Sequence, residues 1–322
     1  MSLARRILAF AALAWFAATA QAAGDEFPSR PLKIVAPDIP GGNFDLGARA
    51  VGASLASQLK QPVIVDNRPG GSTTVGAAAV ARAPADGYTL LYTGSMHATV
   101  RQFVPGTGFD PLKDFIPISI LATTPIVLAI PFNSIHRTIE EFVQYAKANP
   151  DRMTVGTVGL GSSSEMAIQD FMARTGVKLR SIPYKGAPGI TTALLSGEID
   201  VGVLSPLTSA SMIDAGKLRA LAISSSRRLA TLPTVPTIGE TVAPGYTFDV
   251  WFALLAPKGL SQPVIKRLYE SVQSYSDEGE TGKWLDRMGL QPVKLSYEQT
   301  VEYFSRDSER LVNLAKKMKP AQ

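Results

Sequence analysis

The chain contains no cysteine and only two histidines, His97 and His136. The first absence excludes thiolate catalysis, iron–sulfur clusters and cysteine zinc sites. The second leaves almost no material for a multi-histidine metal site or a Ser-His-Asp triad. Blocks of like charge are missing too. The formal net charge is +5, but the lysines and arginines are scattered, so the basic balance does not point to nucleic acid. Phosphate-binding signatures are also absent. There is no G-x-x-x-x-G-K-[ST] loop, no G-x-G-x-x-G with an acid at dinucleotide spacing, and no G-x-S-x-G nucleophile elbow.

What is present begins with an address. Arg5 and Arg6 precede an apolar run from Ile7 to about Ala18, followed by the small-residue site Ala20-Gln21-Ala22. This is the pattern of a secretory signal peptide spanning residues 1–22, with cleavage near Ala22. No later segment offers 18 uninterrupted apolar residues, so a soluble, exported, periplasmic protein is expected. Loss of Arg5 and Arg6 would leave a charge of +3. Roughly 300 residues then remain, enough for two domains with their own cores. Without disulfides, stability must come from packing.

Strand and helix alternate along the chain, with Gly and Pro between them. Lys33–Ala36, Pro62–Asp66, Tyr88–Tyr92, Thr154–Thr157, Leu179–Pro183, Ile199–Leu204 and Leu218–Ile223 read as strands. Helices are predicted over 43–59, 72–82, 165–175, 189–195 and 207–215. Thr138-Ile139-Glu140-Glu141 and Ser296-Tyr297-Glu298-Gln299 are capping boxes that open two more. Helices between short apolar strands imply βαβ units and largely parallel sheets, hence an α/β fold.

Two strand-to-helix junctions carry the candidate site. The first, Ala36-Pro37-Asp38-Ile39-Pro40-Gly41-Gly42-Asn43-Phe44-Asp45, is glycine-rich and opens a helix. Unpaired N–H groups at a helix start hold anions well, although two glycines also suit a plain turn. The second is Thr157-Val158-Gly159-Leu160-Gly161-Ser162-Ser163-Ser164-Glu165, read either as a serine N-cap or as an anion grip. Ligands of open α/β sheets bind beyond the carboxyl ends of strands. Two such junctions face to face would clamp a small anion. Ser95 and His97 follow a strand and are candidate cleft residues, as is Tyr184. Lys185 is assigned to the surface, and Trp251 and Phe252 to the core. Asp45 and Arg49 are spaced to pair along one helix face.

These residues, taken with Asp45-x-x-x-Arg49, Asp66-Asn67-Arg68-Pro69-Gly70, Pro84-Ala85-Asp86-Gly87-Tyr88-Thr89-Leu90, Asp110-Pro111-Leu112-Lys113-Asp114-Phe115, Pro183-Tyr184-Lys185-Gly186, Gly216–Leu221 and Leu232-Pro233-x-Val235-Pro236-Thr237, resemble the Bug family of TctC-type solute-binding proteins. The resemblance implies a two-lobe class II periplasmic binding protein fold with mixed, largely parallel sheets and a ligand cleft between lobes. Lobe 1 would be residues 24–122 plus 223–322, and lobe 2 residues 123–222. It implies a monomer without cofactor, metal or catalytic activity. Its ligand would be a small carboxylate: an organic acid, an amino acid or an aromatic or heterocyclic acid. Its partner would be a two-component permease, or a sensor protein. By position, Gly41, Gly42, Asn43, Phe44 and Asp45 form one side of the ligand site. Thr157, Gly159, Gly161, Ser162 and Ser163 form the other, with Ser205 nearby.

The sequence departs from the family pattern at three positions. Asp38 stands where Phe is usual, Glu165 where His is usual, and Ser205 where Asp is frequent. An anionic side chain beside a carboxylate site is unfavourable unless neutralised. Either Asp38 meets a cationic or donor group on an atypical ligand, or it turns into an internal pair, for example with a lysine. A rival reading is an enzyme on the same fold, with Asp38 and Glu165 or His97 as an acid/base pair.

Overall fold

The computed structural model describes residues 27–276 and 279–318. The expected signal segment lies outside the described residues. Within them the chain builds two sheets. The first holds six strands: β1 (Leu32–Ala36), β2 (Val63–Asn67), β3 (Thr89–Gly94), β4 (Phe115–Pro125), β10 (Asp249–Pro257) and β11 (Gln291–Pro292). Their order is β11-β4-β10-β3-β1-β2. The second holds β5 (Val127–Pro131), β6 (Thr154–Thr157), β7 (Arg180–Pro183), β8 (Val201–Leu204) and β9 (Leu218–Ile223), in the order β7-β6-β8-β5-β9. The central strand β8 is buried along its whole length, and β1 at every residue but Lys33, because helices cover both sides.

The topology turns the two sheets toward each other. β4 is antiparallel to β10, and β10 is antiparallel to β3, so β4 runs in the direction of β3 and β1. One residue, Ile126, separates β4 from β5. β5 is antiparallel to β8, with Val127 opposite Leu204, and β8 is parallel to β6. The carboxyl ends of β1, β3, β6 and β8 therefore all point to the junction between the lobes. Ser224 ties this junction together. Its hydroxyl accepts from the Ile126 N–H at 2.9 Å and donates to the Phe248 carbonyl, so one side chain joins both crossing segments.

Helices start at the carboxyl ends of these strands. α1 (Asn43–Leu59) follows β1 and buries Ala48, Val51, Leu55 and Leu59. α2 (Thr74–Ala81) follows a short 3-10 turn at Gly71–Thr73, in which Ser72 and Thr73 have positive φ. The single helix expected from residue 72 is thus broken at its start. α3 (Met96–Phe103) follows β3 directly and buries His97, Ala98 and Val100 on one face. In the second lobe, α4 (Ile139–Ala148) is capped by Thr138, α5 (Ser163–Thr175) by Ser162, and α7 (Pro206–Asp214) by Ser205, with α6 (Ala187–Ser196) between the last two. α8 (Gln262–Val272), α9 (Gly279–Arg287) and α10 (Tyr297–Lys317) complete the chain. α10 opens with the expected capping box of Ser296 and Gln299.

The lobe boundaries differ from those expected. The first sheet extends to Pro125, and the chain returns to it at Asp249 rather than at 223. Between them, Ile238, Tyr246 and Phe248 pack into the core of the second sheet with Leu128 and Val155. The last helix belongs to both lobes. Phe304 packs with Trp251 in the first lobe, and Leu311 and Leu314 join the core of the second. Arg310 of α10 reaches Asp170 of α5 at 3.3 Å. Burial of apolar side chains at both ends of one helix explains why chain position does not mark the border.

Candidate functional site

The first junction runs from β1 into α1. Gly41 has φ +83°, a conformation that favours glycine, and lets the chain double back over the helix start. Asp45 is 2% exposed and its carboxylate closes this turn. It accepts the Gly41 N–H at 2.8 Å and pairs with the Arg49 guanidinium at 2.9 and 3.0 Å. Burial pushes its carboxyl up, but hydrogen bonds from Arg49, Gly41 and Asn67 outweigh this and hold it below the usual carboxylate range.

Asp38 turns onto the same helix start. Its carboxylate accepts the Ile39 N–H at 2.9 Å and the Phe44 N–H at 3.1 Å, while its carbonyl accepts from Asn67. It lies so close over Gly42 that a Cβ there would sit 2.2 Å from the carboxylate. The charge is met by the positive end of α1 rather than by a lysine. Of the two alternatives for Asp38, the side chain takes the inward one, with backbone N–H groups as its partners.

The second junction runs from β6 into α5. Glu165, 6% exposed, is held by three side-chain donors: Thr157 Oγ1 at 2.6 Å, Gln169 Nε2 at 2.8 Å and Ser181 Oγ at 3.0 Å. Thr157 Oγ1 in turn accepts the Gly159 N–H at 3.2 Å. Ser162 Oγ donates to the Gly159 carbonyl at 2.6 Å and accepts the Glu165 N–H at 3.2 Å. Ser164 Oγ accepts the Val158 N–H at 2.9 Å. This loop is therefore shaped by neutral hydroxyls, with Glu165 as its internal brace.

The two junctions meet partners across the lobes. A Cβ on Gly161, which has φ +81°, would come within 3.0 Å of the Phe103 ring of α3. Thr99 of α3 touches Met166 Sδ of α5 at 3.7 Å. Gly161 and Ser162 line a cavity of about 230 Å³ with Ser72, Met96 and Phe103. A second cavity, of about 90 Å³, brings Asn43 of α1 together with Ser205 of α7, Thr124 and the aromatic rings of Tyr92, Phe252 and Trp284. Phe44, Tyr92 and Phe252 form an aromatic cluster beneath the α1 junction, with centroids 6.2–6.4 Å apart. Larger depressions of about 530 and 580 Å³ touch neither junction loop.

Three expected site residues stand elsewhere. His97 is 0% exposed, stacked on Phe109 and edge-on to Phe115, with Nε2 3.2 Å from the Pro111 carbonyl. Burial lowers its pKa to about 4, against a smaller opposing effect of the Pro111 hydrogen bond. It is a neutral core residue. Ser95 is buried at the start of α3, where its N–H donates to the Trp251 carbonyl at 3.0 Å. Tyr184 packs its ring on Gly156 and Gly189 and donates to Glu198 at 2.7 Å, which makes it a support of lobe 2. Phe252, assigned to the core, lines the smaller cavity.

Of the two acid/base partners considered for Asp38, His97 is buried in the core and Glu165 is enclosed by donors. Among the described residues, no three of His, Asp or Glu are grouped to hold a metal ion. No described helix is long and apolar enough to cross a membrane. Sequence reading missed Ser72, Met96, Phe103 and Trp284. Trp284 lies more than two hundred residues from Asn43 along the chain, and only the fold brings them together.

Two α/β lobes joined at a double crossing, with glycine-turned helix starts at the facing strand ends, define a two-lobe class II periplasmic binding protein fold with its cleft between the lobes. The family assignment follows from comparison. Residues 47–319 match the model of the tripartite tricarboxylate transporter family receptor, TctC, and the chain belongs to that family. It is 32% identical to protein BugT of Bordetella pertussis over 303 residues, 94% of this chain and 92% of that one. A ligand-free TctC solute binding protein from Polaromonas superposes with a TM-score of 0.83 at 28% identity, over 91% of this chain and 100% of that one. Rpa4515 of R. palustris, with adipate, superposes with a TM-score of 0.73 at 29% identity, over 90% and 98%.

Proposed function

We propose that this chain is an exported, periplasmic, non-catalytic receptor that closes its lobes around one small carboxylate and presents it to a two-component permease. The carrying observation is that each glycine-turned helix start meets the other lobe, Asn43 lining a cavity with Ser205 and Gly161 lining another with Phe103. Backbone N–H groups at such starts favour an anion by about 0.3–2 kcal/mol each. Gly41, Gly42 and Asn43 on one side, and Gly159, Gly161, Ser162 and Ser163 on the other, are the proposed contacts. The adipate held by Rpa4515 supports a carboxylate as ligand.

The test is a thermal-shift screen of the purified protein against organic acids, followed by calorimetry and product analysis of each hit. A ligand raises the melting temperature by mass action and is recovered unchanged. Conversion of the acid would replace this reading by the enzymatic one, and no response to any carboxylate would remove it.

A further inference from the structure

Lobe 2 carries a cavity of about 530 Å³ at its far end, within the size range of small-molecule sites. Its walls come from residues that follow β5 and from residues just before β6 and β8. β5 runs antiparallel to β8, and β6 runs parallel to β8, so this is the sheet edge opposite the interlobe junctions. His136 stands in the wall. It is 8% exposed, with its ring 4.8 Å from that of Tyr145 and edge-on to Phe142 at 6.2 Å. Its backbone N–H donates to Ser134 Oγ at 3.3 Å, but its ring nitrogens have no hydrogen-bond partner among the described residues. An imidazole carries at least one N–H donor in every protonation state, and a buried donor normally finds an acceptor.

Arg152 lines the same cavity, and its guanidinium is unpaired among the described residues. The turn that carries it follows α4 directly. Asn149 holds the Tyr145 carbonyl through its N–H and its Nδ2, each at 3.0 Å, and its own carbonyl accepts the Arg152 N–H at 3.3 Å. Arg152 is thereby tied to the helix that bears Tyr145. Asn133 and Ser134 add further polar groups to the wall. The one acid in the lining, Asp200, is occupied. Its Oδ2 accepts the Thr154 N–H at 2.7 Å and the Thr154 hydroxyl at 2.8 Å. The cavity thus holds spare donors, one of them fully charged, and an acid that already has donors of its own. Exposed Ile135 and Leu195 flank it, and buried Met153 and Leu194 line it.

We infer that this cavity is a second ligand site, for a small organic anion with a ring-sized apolar body. The anionic group is met by Arg152 and the His136 ring, and the body lies against Tyr145 and Leu194. The cavity shares no lining residue with either cavity at the junctions. The site is therefore separate from the interlobe cleft and stands whatever the cleft binds.

The two histidines make the test direct, since His97 and His136 give the only imidazole signals. Untagged protein, labelled with nitrogen-15 in its imidazole rings, is titrated with 4-fluorobenzoate at pH 7.5 and read by proton–nitrogen correlation NMR. The His136 signals should move along a saturable one-site curve, while those of His97, in the core of lobe 1, stay in place. Arg152→Gln should weaken this binding at least tenfold. 4-Fluorobenzyl alcohol, which keeps the ring and lacks the charge, should bind the natural protein at least tenfold more weakly than the acid. Gly161→Ala, at the interlobe junction, should leave the His136 curve unchanged. No movement of His136 at any soluble concentration of the acid overturns the site. Equal binding of the alcohol overturns its anionic character, and an unchanged curve in Arg152→Gln overturns the role of Arg152. A His136 curve that weakens in Gly161→Ala places the probe in the cleft instead and overturns the separate site.

Discussion

The carboxylate of Asp38 accepts the backbone N–H of Phe44 at 3.1 Å, across the first turn of α1. A residue that looked like a contradiction in an anion site is thereby a cap for the helix that builds it. The same contact makes Gly42 and Asp38 interdependent, since any Cβ at 42 would collide with the carboxylate.

Removing that cap should cost stability. Asp38→Ala is expected to lose about 0.5–2 kcal/mol, the range for deleting a side-chain acceptor at a helix start. Asp38→Asn, which keeps an acceptor oxygen, should lose less. Urea unfolding followed by circular dichroism reads both. Equal midpoints for Asp38→Ala and the natural protein would show that the hydrogen bond contributes nothing.

The close approach of the α5 junction to α3 depends on the absence of a side chain at Gly161. Gly161→Ala adds about 1 kcal/mol of backbone strain at φ +81° and places a Cβ within 3.0 Å of the Phe103 ring. Ligand affinity should fall at least tenfold. Adding Phe103→Ala should recover the part of this loss caused by the clash but not the part caused by strain. If Phe103→Ala recovers none of the affinity, the interlobe contact is not what limits binding.

Asp249 opens β10 beside the lobe crossing, and its Oδ1 is buried without a partner among the described residues. Burial first, and then the nearby Asp307 charge, push its pKa from 3.8 to about 6, against the attraction of Arg310. Arg310 is already shared by Asp307 at 2.9 Å and Asp170 at 3.3 Å. Since the folded state holds this proton more tightly than the unfolded chain, Asp249 loses stability as pH rises from about 4 to 6. The cost persists above that window. Asp249→Asn should therefore stabilise the protein by about 1–3 kcal/mol at pH 7.5 and leave it nearly unchanged at pH 4. Thermal unfolding at the two pH values checks this, and an equal effect at both would remove titration as its cause.

The sequence by itself determined the α/β alternation, the two glycine-turned junctions and the family. Each is written in contiguous residues: Gly41-Gly42 before Asn43, Gly159 to Ser164 before Glu165, Ser296 to Gln299 at a helix start. Local hydrogen bonding and backbone conformation decide such features, so a short window suffices. Only the tertiary structure decided what those junctions face and what fills them. His97 was legible as a polar residue after a strand, yet the rings of Phe109 and Phe115 take it into the core. Glu165 was legible as a free acid, yet Thr157, Gln169 and Ser181 enclose it. Trp284 carried no signal at all until α9 brought it to Asn43 and Ser205. Charge compensation and burial are properties of neighbours in space, and those neighbours come from distant parts of the chain.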